Sequence, residues 1–65
     1  MKYEITILNQ KNEWIANYQT TIVPVIGDTL IISETHAFEV EMRILSTSKD
    51  NKNVVLIGRH YEGKI

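Results

Sequence analysis

The chain has 65 residues, no cysteine, seven Lys or Arg against eight Asp or Glu, and a formal net charge of −1. That length supports one small domain, residues 1–65, and chains of this size bury only about 60% of the surface their unfolded forms expose, so the core must be small. Disulfide staples are excluded, the charge does not suit a strongly basic nucleic-acid binder, and no stretch approaches the roughly 20 apolar residues of a membrane-spanning helix.

The N-terminal stretch Met1 to Leu8 alternates polar and apolar residues, placing Tyr3, Ile5 and Ile7 on one strand face and Glu4, Thr6 and Leu8 on the other. It lacks the continuous apolar run of a signal peptide, so a cytoplasmic location is expected, which the absence of cysteine permits without deciding the redox compartment. Asn9-Gln10-Lys11-Asn12 is a polar break of hairpin length. A second strand is predicted from Glu13 to Val23, with Trp14, Ala16, Tyr18, Thr20 and Ile22 facing the core because aromatics bury the most area. So long a strand is expected to bend near Gln19-Thr20.

Pro24 cannot donate to a ladder and marks a strand end, and it forces Val23 into extended geometry. Gly27-Asp28 is a turn signal, because glycine takes positive φ freely and Asp bonds its own neighbouring backbone. A short third strand over Thr29, Leu30, Ile31 and Ile32 follows, then a hairpin turn at Ser33-Glu34-Thr35-His36. In the fourth strand Phe38, Val40, Met42 and Ile44 alternate with Glu39, Glu41 and Arg43, the clearest period of two in the chain. These four apolar residues are expected on one buried face. Ser46 to Asn53 carries no apolar side chain and reads as a solvated loop, Val54 to His60 as the fifth strand, and Gly63 ends the pattern.

If Leu45 faces Asn53, then Ile44 faces Val54, Met42 faces Leu56, Val40 faces Gly58 and Phe38 faces His60, while Glu39 meets Arg59 as an opposite-charge pair. A slip by one residue would set the charged residues against Val54 and Leu56. This register leaves Leu45, Val55 and Ile57 on the outer face beside Arg43, and with Arg59 these five form the candidate interface. Coverage of the apolar three by another strand of a closed barrel is the competing reading.

Signs of chemistry are sparse. Glu39 and Glu41 share a strand face but have Arg43 and Arg59 beside them, which favours simple ion pairing over acid–base work. Ser33, Ser46 and Ser48 lie in polar turns without a nucleophile-elbow setting, and three glycines make no phosphate-cradling run. Glu34, His36 and His60 fall near one end of the fourth and fifth strands, but two ordinary histidines are the simpler reading, so neither a metal nor a cofactor is expected. Trp14, Tyr18, Tyr3 and Tyr61 would need a basic groove to stack nucleobases, whereas Arg43, Arg59, Lys2, Lys49 and Lys52 are scattered among acids.

The run Pro24-Val25-Ile26-Gly27-Asp28-Thr29-Leu30, followed by Ala37-Phe38-Glu39-Val40, resembles the recurrent core phrase of small bacterial and phage-associated SH3-like barrels. The resemblance spans Val23 to Arg59 and implies a fold but no activity, since fold does not dictate function. The acidic, aromatic-rich loop with which signalling SH3 domains bind Pro-rich peptides is not evident. The expected molecule is an all-β, five-stranded antiparallel meander closing partly into an SH3-like barrel. It is expected to be non-catalytic, an interaction module or small structural subunit that presents a sheet face or edge to a protein partner or to itself. Nucleic acid is a disfavoured partner and membrane an excluded one; a nucleic-acid-binding small barrel is the alternative.

Overall fold

The computed structural model describes residues 2–45 and 52–63, and all regular structure among them is β. The five strands are β1 (Tyr3–Asn9), β2 (Trp14–Thr20), β3 (Thr29–Ser33), β4 (His36–Leu45) and β5 (Asn53–Glu62). The solvated loop expected at 46–53 lies, over residues 46–51, outside the described residues.

The connections follow from the turn residues. Asn9 Oδ1 accepts hydrogen bonds from the backbone N–H of Lys11 and of Glu13, each at 2.9 Å, and Asn12 takes a left-handed φ of 65° that asparagine tolerates. Thr20 Oγ1 bonds the backbone of Ile22 at 3.1 Å and ends β2 where a bend was expected. At the next turn Gly27 has φ +98°, the Asp28 amide donates to Val25 O at 3.0 Å, and Asp28 Oδ2 accepts from the Val25 amide at 2.8 Å. The bend is tied to β4 by Gly27 N–H to Val40 O at 2.8 Å and Val40 N–H to Asp28 O at 2.9 Å.

The sheet is a mixed half-barrel rather than an antiparallel meander. Its order is β2-β1-β5-β4-β3, with β1 parallel to β5 and every other pairing antiparallel. The physical reason is visible in the core. Ile5 and Ile7 are sealed from solvent at 0% and 1% exposure, which a strand achieves when it has neighbours on both sides. A meander would leave β1 at an edge. The segment 21–28 is long enough to carry the chain from β2 to the far edge of the sheet, and on the way Val23 packs against the core and Pro24 is buried. The core is formed by Ile5 and Ile7 of β1, Val54 and Leu56 of β5, and Phe38 and Val40 of β4, each contributing about 1.5–3 kcal/mol on burial.

Three register shifts interrupt the ladders; one, between Ile31 and Ser33, leaves Ile32 as an extra residue of β3, and the other two turn expected core residues outward. The β4–β5 register follows expectation through Phe38↔His60, Glu39↔Arg59 and Val40↔Gly58, then shifts by one residue at Glu41 to give Met42↔Ile57, Arg43↔Leu56, Ile44↔Val55 and Leu45↔Val54. Beyond the bulge the alternation inverts. Met42 and Ile44 therefore leave the core side, at 53% and 48% exposure, contrary to their expected burial. A second shift lies beside Ile7, where Ala16 faces Ile7 but Trp14 faces Leu8. It turns Trp14 to the outer face, 66% exposed, where it had been expected inside.

Candidate functional site

Among the described residues, the outer strands β2 and β3 each have a neighbour on one side only. Neither Trp-Ile-Ala-Asn-Tyr-Gln-Thr nor Thr-Leu-Ile-Ile-Ser contains a charge or a proline, the devices that usually protect sheet edges. Curvature of the half-barrel leaves a cleft of about 470 Å³ lined by Ala16, Asn17 and Tyr18 of β2, residues 29–32 of β3 and Ile7 between them. Leu30 faces Phe38 and packs against the core, whereas Ile31 faces Ala37 and is 62% exposed. Burial, and secondarily the Asp28 carboxylate, push the Tyr18 phenol above its ordinary pKa of 10.0, so it lines the seam as a neutral hydrogen-bonding group.

The residues proposed from sequence as an interface are divided by the Glu41 bulge. Val55 and Ile57 lie half-buried on the outer face, but with Met42 and Ile44 as cross-strand neighbours instead of Leu45. Leu45 faces Val54, on the side of the sheet that carries the core. Arg43 also turns to that side, half-buried, and its Nη1 donates to Pro24 O at 3.4 Å. Arg59 stays on the outer face opposite Glu39, with its guanidinium 6.0 Å from the Tyr61 ring. A hydrogen bond to Tyr61, reinforced by Glu41 and Glu39, raises its pKa further.

Parallel pairing adds to the outer face what sequence alone does not show. Leu8 lies beside Ile57 and Trp14 faces Leu8, so an apolar row runs from Met42 through Ile57 and Leu8 to Trp14. The Trp14 indole N–H donates to Asn17 Oδ1, and Asn17 Nδ2 to Thr6 Oγ1 at 3.2 Å. Tyr18 faces Ile5 on the opposite side of the sheet, so Trp14 and Tyr18 do not form one stacking platform.

At the end of the sheet beyond Phe38, His36 Nδ1 lies 3.0 Å from His60 Nε2. The ring planes are 6° apart with centroids separated by 5.1 Å. Stacked rings stand about 3.5 Å apart or more, so a shorter nitrogen–nitrogen distance means that the rings meet at their edges through an N–H···N bond. The cross-strand pair His36↔Glu62 brings a carboxylate to the same place. Glu34, expected from the sequence beside the two histidines, lies in the hairpin turn before β4 and does not join them; Glu62 does.

No family model, no curated protein and no solved structure matches this chain. The seam was legible only in part from the sequence: the absence of charge from both strands is visible there, but not that they are the two edges. Gly58 was a second missed signal, since an isolated glycine inside a strand marks a bulge or a close backbone approach.

Proposed function

We propose that the protein is a non-catalytic interaction module, a small structural subunit that assembles by strand addition at β3, with a second copy of the chain as the occupant. The uncharged, singly paired edge of β3 carries this proposal. Read antiparallel about Ile31, Thr29-Leu30-Ile31-Ile32-Ser33 sets Ile31 against itself and apolar Leu30 against apolar Ile32, with the extra residue that β3 carries at Ile32 interrupting the alternation toward Ser33. Such a two-fold contact is isologous and closed, the commonest form of self-association. It extends the sheet through main-chain hydrogen bonds and covers the exposed Ile31 of each copy with its counterpart. The need for cover is general: among the described residues ten large hydrophobic side chains are exposed, against seven buried hydrophobic residues.

An SH3-like relationship is supported by one segment, the buried Pro24, the Gly27-Asp28 bend tied to Val40, and the Phe38-Val40 core pair. The parallel β1–β5 ladder departs from the meander. The function proposed does not draw on that relationship.

Light scattering and sedimentation across the micromolar range test self-association. The native chain should show a concentration-dependent dimer, and Ile31→Lys should weaken it by about tenfold or more, since a charge on an edge strand opposes pairing. Met42→Asp, on the outer face, should leave the dimer intact. A strict monomer, or a dimer lost in Met42→Asp and kept in Ile31→Lys, would overturn the proposal.

A further inference from the structure

We propose that His36, His60 and Glu62 form a binding site for one divalent transition-metal ion, of which zinc is the best-suited occupant. The three residues offer two imidazole nitrogens and a carboxylate oxygen, all within 4.8 Å of one another. Two imidazoles and a carboxylate with an open fourth position are a recognised donor set for zinc and its late first-row neighbours.

The sheet itself preorganises the donors. His36 and Glu62 are direct cross-strand partners, and His60 lies two residues before Glu62 on β5, opposite Phe38. Both histidines are half-buried and Glu62 is exposed, so the imidazoles are held by packing while the carboxylate reaches in from solvent. Tetrahedral zinc with Zn–N bonds of about 2.05 Å places its nitrogens about 3.3 Å apart. The present separation is 3.0 Å. Both imidazoles ligate in their neutral forms, so the donor ring of the N–H···N bond moves its proton to its other nitrogen; seating the ion then asks for a few tenths of an ångström and a rotation of the rings about χ2, with no movement of the backbone ladder.

A cleft of about 390 Å³, lined by Asn9, Glu13, Trp14, Ile15, Ile32 and the two histidines, opens beside the pair. It gives an ion a path from solvent and leaves room for a water at the fourth position. Binding would clip the start of β4 to the end of β5, where the ladder closes with Gly63 N–H to Thr35 O at 2.9 Å. The three donors belong to β4 and β5, with Ile32 and Ser33 of β3 as neighbours, and the site does not rest on the self-association proposed above.

The full chain, stripped with chelator, is titrated with Zn²⁺ by calorimetry and with Co²⁺ by visible absorption. One ion per chain should bind with micromolar affinity, and Co²⁺ should give the intense visible bands of a four-coordinate site. Zinc at about 100 times its Kd should raise Tm by roughly 10–20 °C. His36→Asn and His60→Asn should each lower affinity by about tenfold or more, and Glu62→Gln by less. Because Glu62 is exposed, its variant keeps the fold and guards against mistaking misfolding for loss of a ligand; Glu34→Gln should bind zinc as the native chain does. Tm unchanged by zinc, one ion shared between two chains, or affinity unaltered by Glu62→Gln and His60→Asn would overturn the site.

Discussion

Replacing Gly58 by alanine should be among the most damaging single substitutions in this protein. A Cβ added at Gly58 would lie 1.9 Å from Glu39 O and 3.0 Å from both the Glu39 carbonyl carbon and the Glu41 amide nitrogen. All three are backbone atoms of β4, beside the bulge, and none can swing away as a side chain would. Relieving the contact means parting β4 from β5 around Val40↔Gly58, at the expense of ladder hydrogen bonds worth about 1 kcal/mol each and the packing of Phe38 and Val40. With overpacking of about 1–3 kcal/mol added, the loss is about 3–5 kcal/mol. Stability at about 0.05–0.15 kcal/mol per residue amounts to roughly 3–10 kcal/mol for this length. Even about 3 kcal/mol should lower Tm by roughly 12–24 °C in a domain this small, read by thermal circular dichroism. Gly27→Ala is the internal comparison, because Gly27 has φ +98° with open space around it. It should cost only the left-handed backbone penalty of about 1–2 kcal/mol. A Gly58→Ala protein that melts within a few degrees of the native one, or no earlier than Gly27→Ala, would mean that β4 does not pass over Gly58 as described.

Two further predictions concern side chains. Phe38→Ala, at a sealed core position, should cost about 3–5 kcal/mol and leave the chain largely unfolded, whereas Trp14→Ala on the outer face should cost less than about 1 kcal/mol; urea unfolding of the two variants checks this inversion of the usual aromatic rule. The raised pKa of Tyr18 means that near and above pH 10.0 the folded chain holds a proton the unfolded chain releases. Its contribution is therefore fully present below that pH and lost as pH rises through the folded value. Thermal melts in alkaline buffers should show falling stability, with a shallower slope in Tyr18→Phe; an unchanged slope would remove the burial of the phenol as the cause.

Much of the local structure could be read residue by residue. The period of two located β1 and β4, Asn9 to Asn12 located the first turn, and Gly27-Asp28 located a bend whose positive φ only glycine takes freely. The register from Phe38 to Val40 matches the expectation, although Leu45, expected opposite Asn53, faces Val54 beyond the bulge. The second strand stops at Thr20 instead of Val23, leaving Ile22 exposed where the core was expected, and the other misses lie at the bulges. One extra residue at Glu41 and one at Ile15 turned Met42, Ile44 and Trp14 outward, and periodicity carries no mark of an insertion except the lone Gly58 in the facing strand. The histidine cluster was half legible: His36 and His60 could be placed at one end of the sheet, but the third donor depended on Glu62 being paired with His36, which needs β5 to run past His60.

Residue order alone is enough for an all-β domain, the number of its strands and the places of its turns, because alternation and turn chemistry act over a few residues. Only the tertiary structure decided that β1 lies between β2 and β5, that β2 and β3 are the edges of an open seam, and that two histidines and a glutamate converge. Strand order is set by which arrangement seals Ile5 and Ile7 on both sides, a requirement of the whole sheet that no single stretch of the chain encodes.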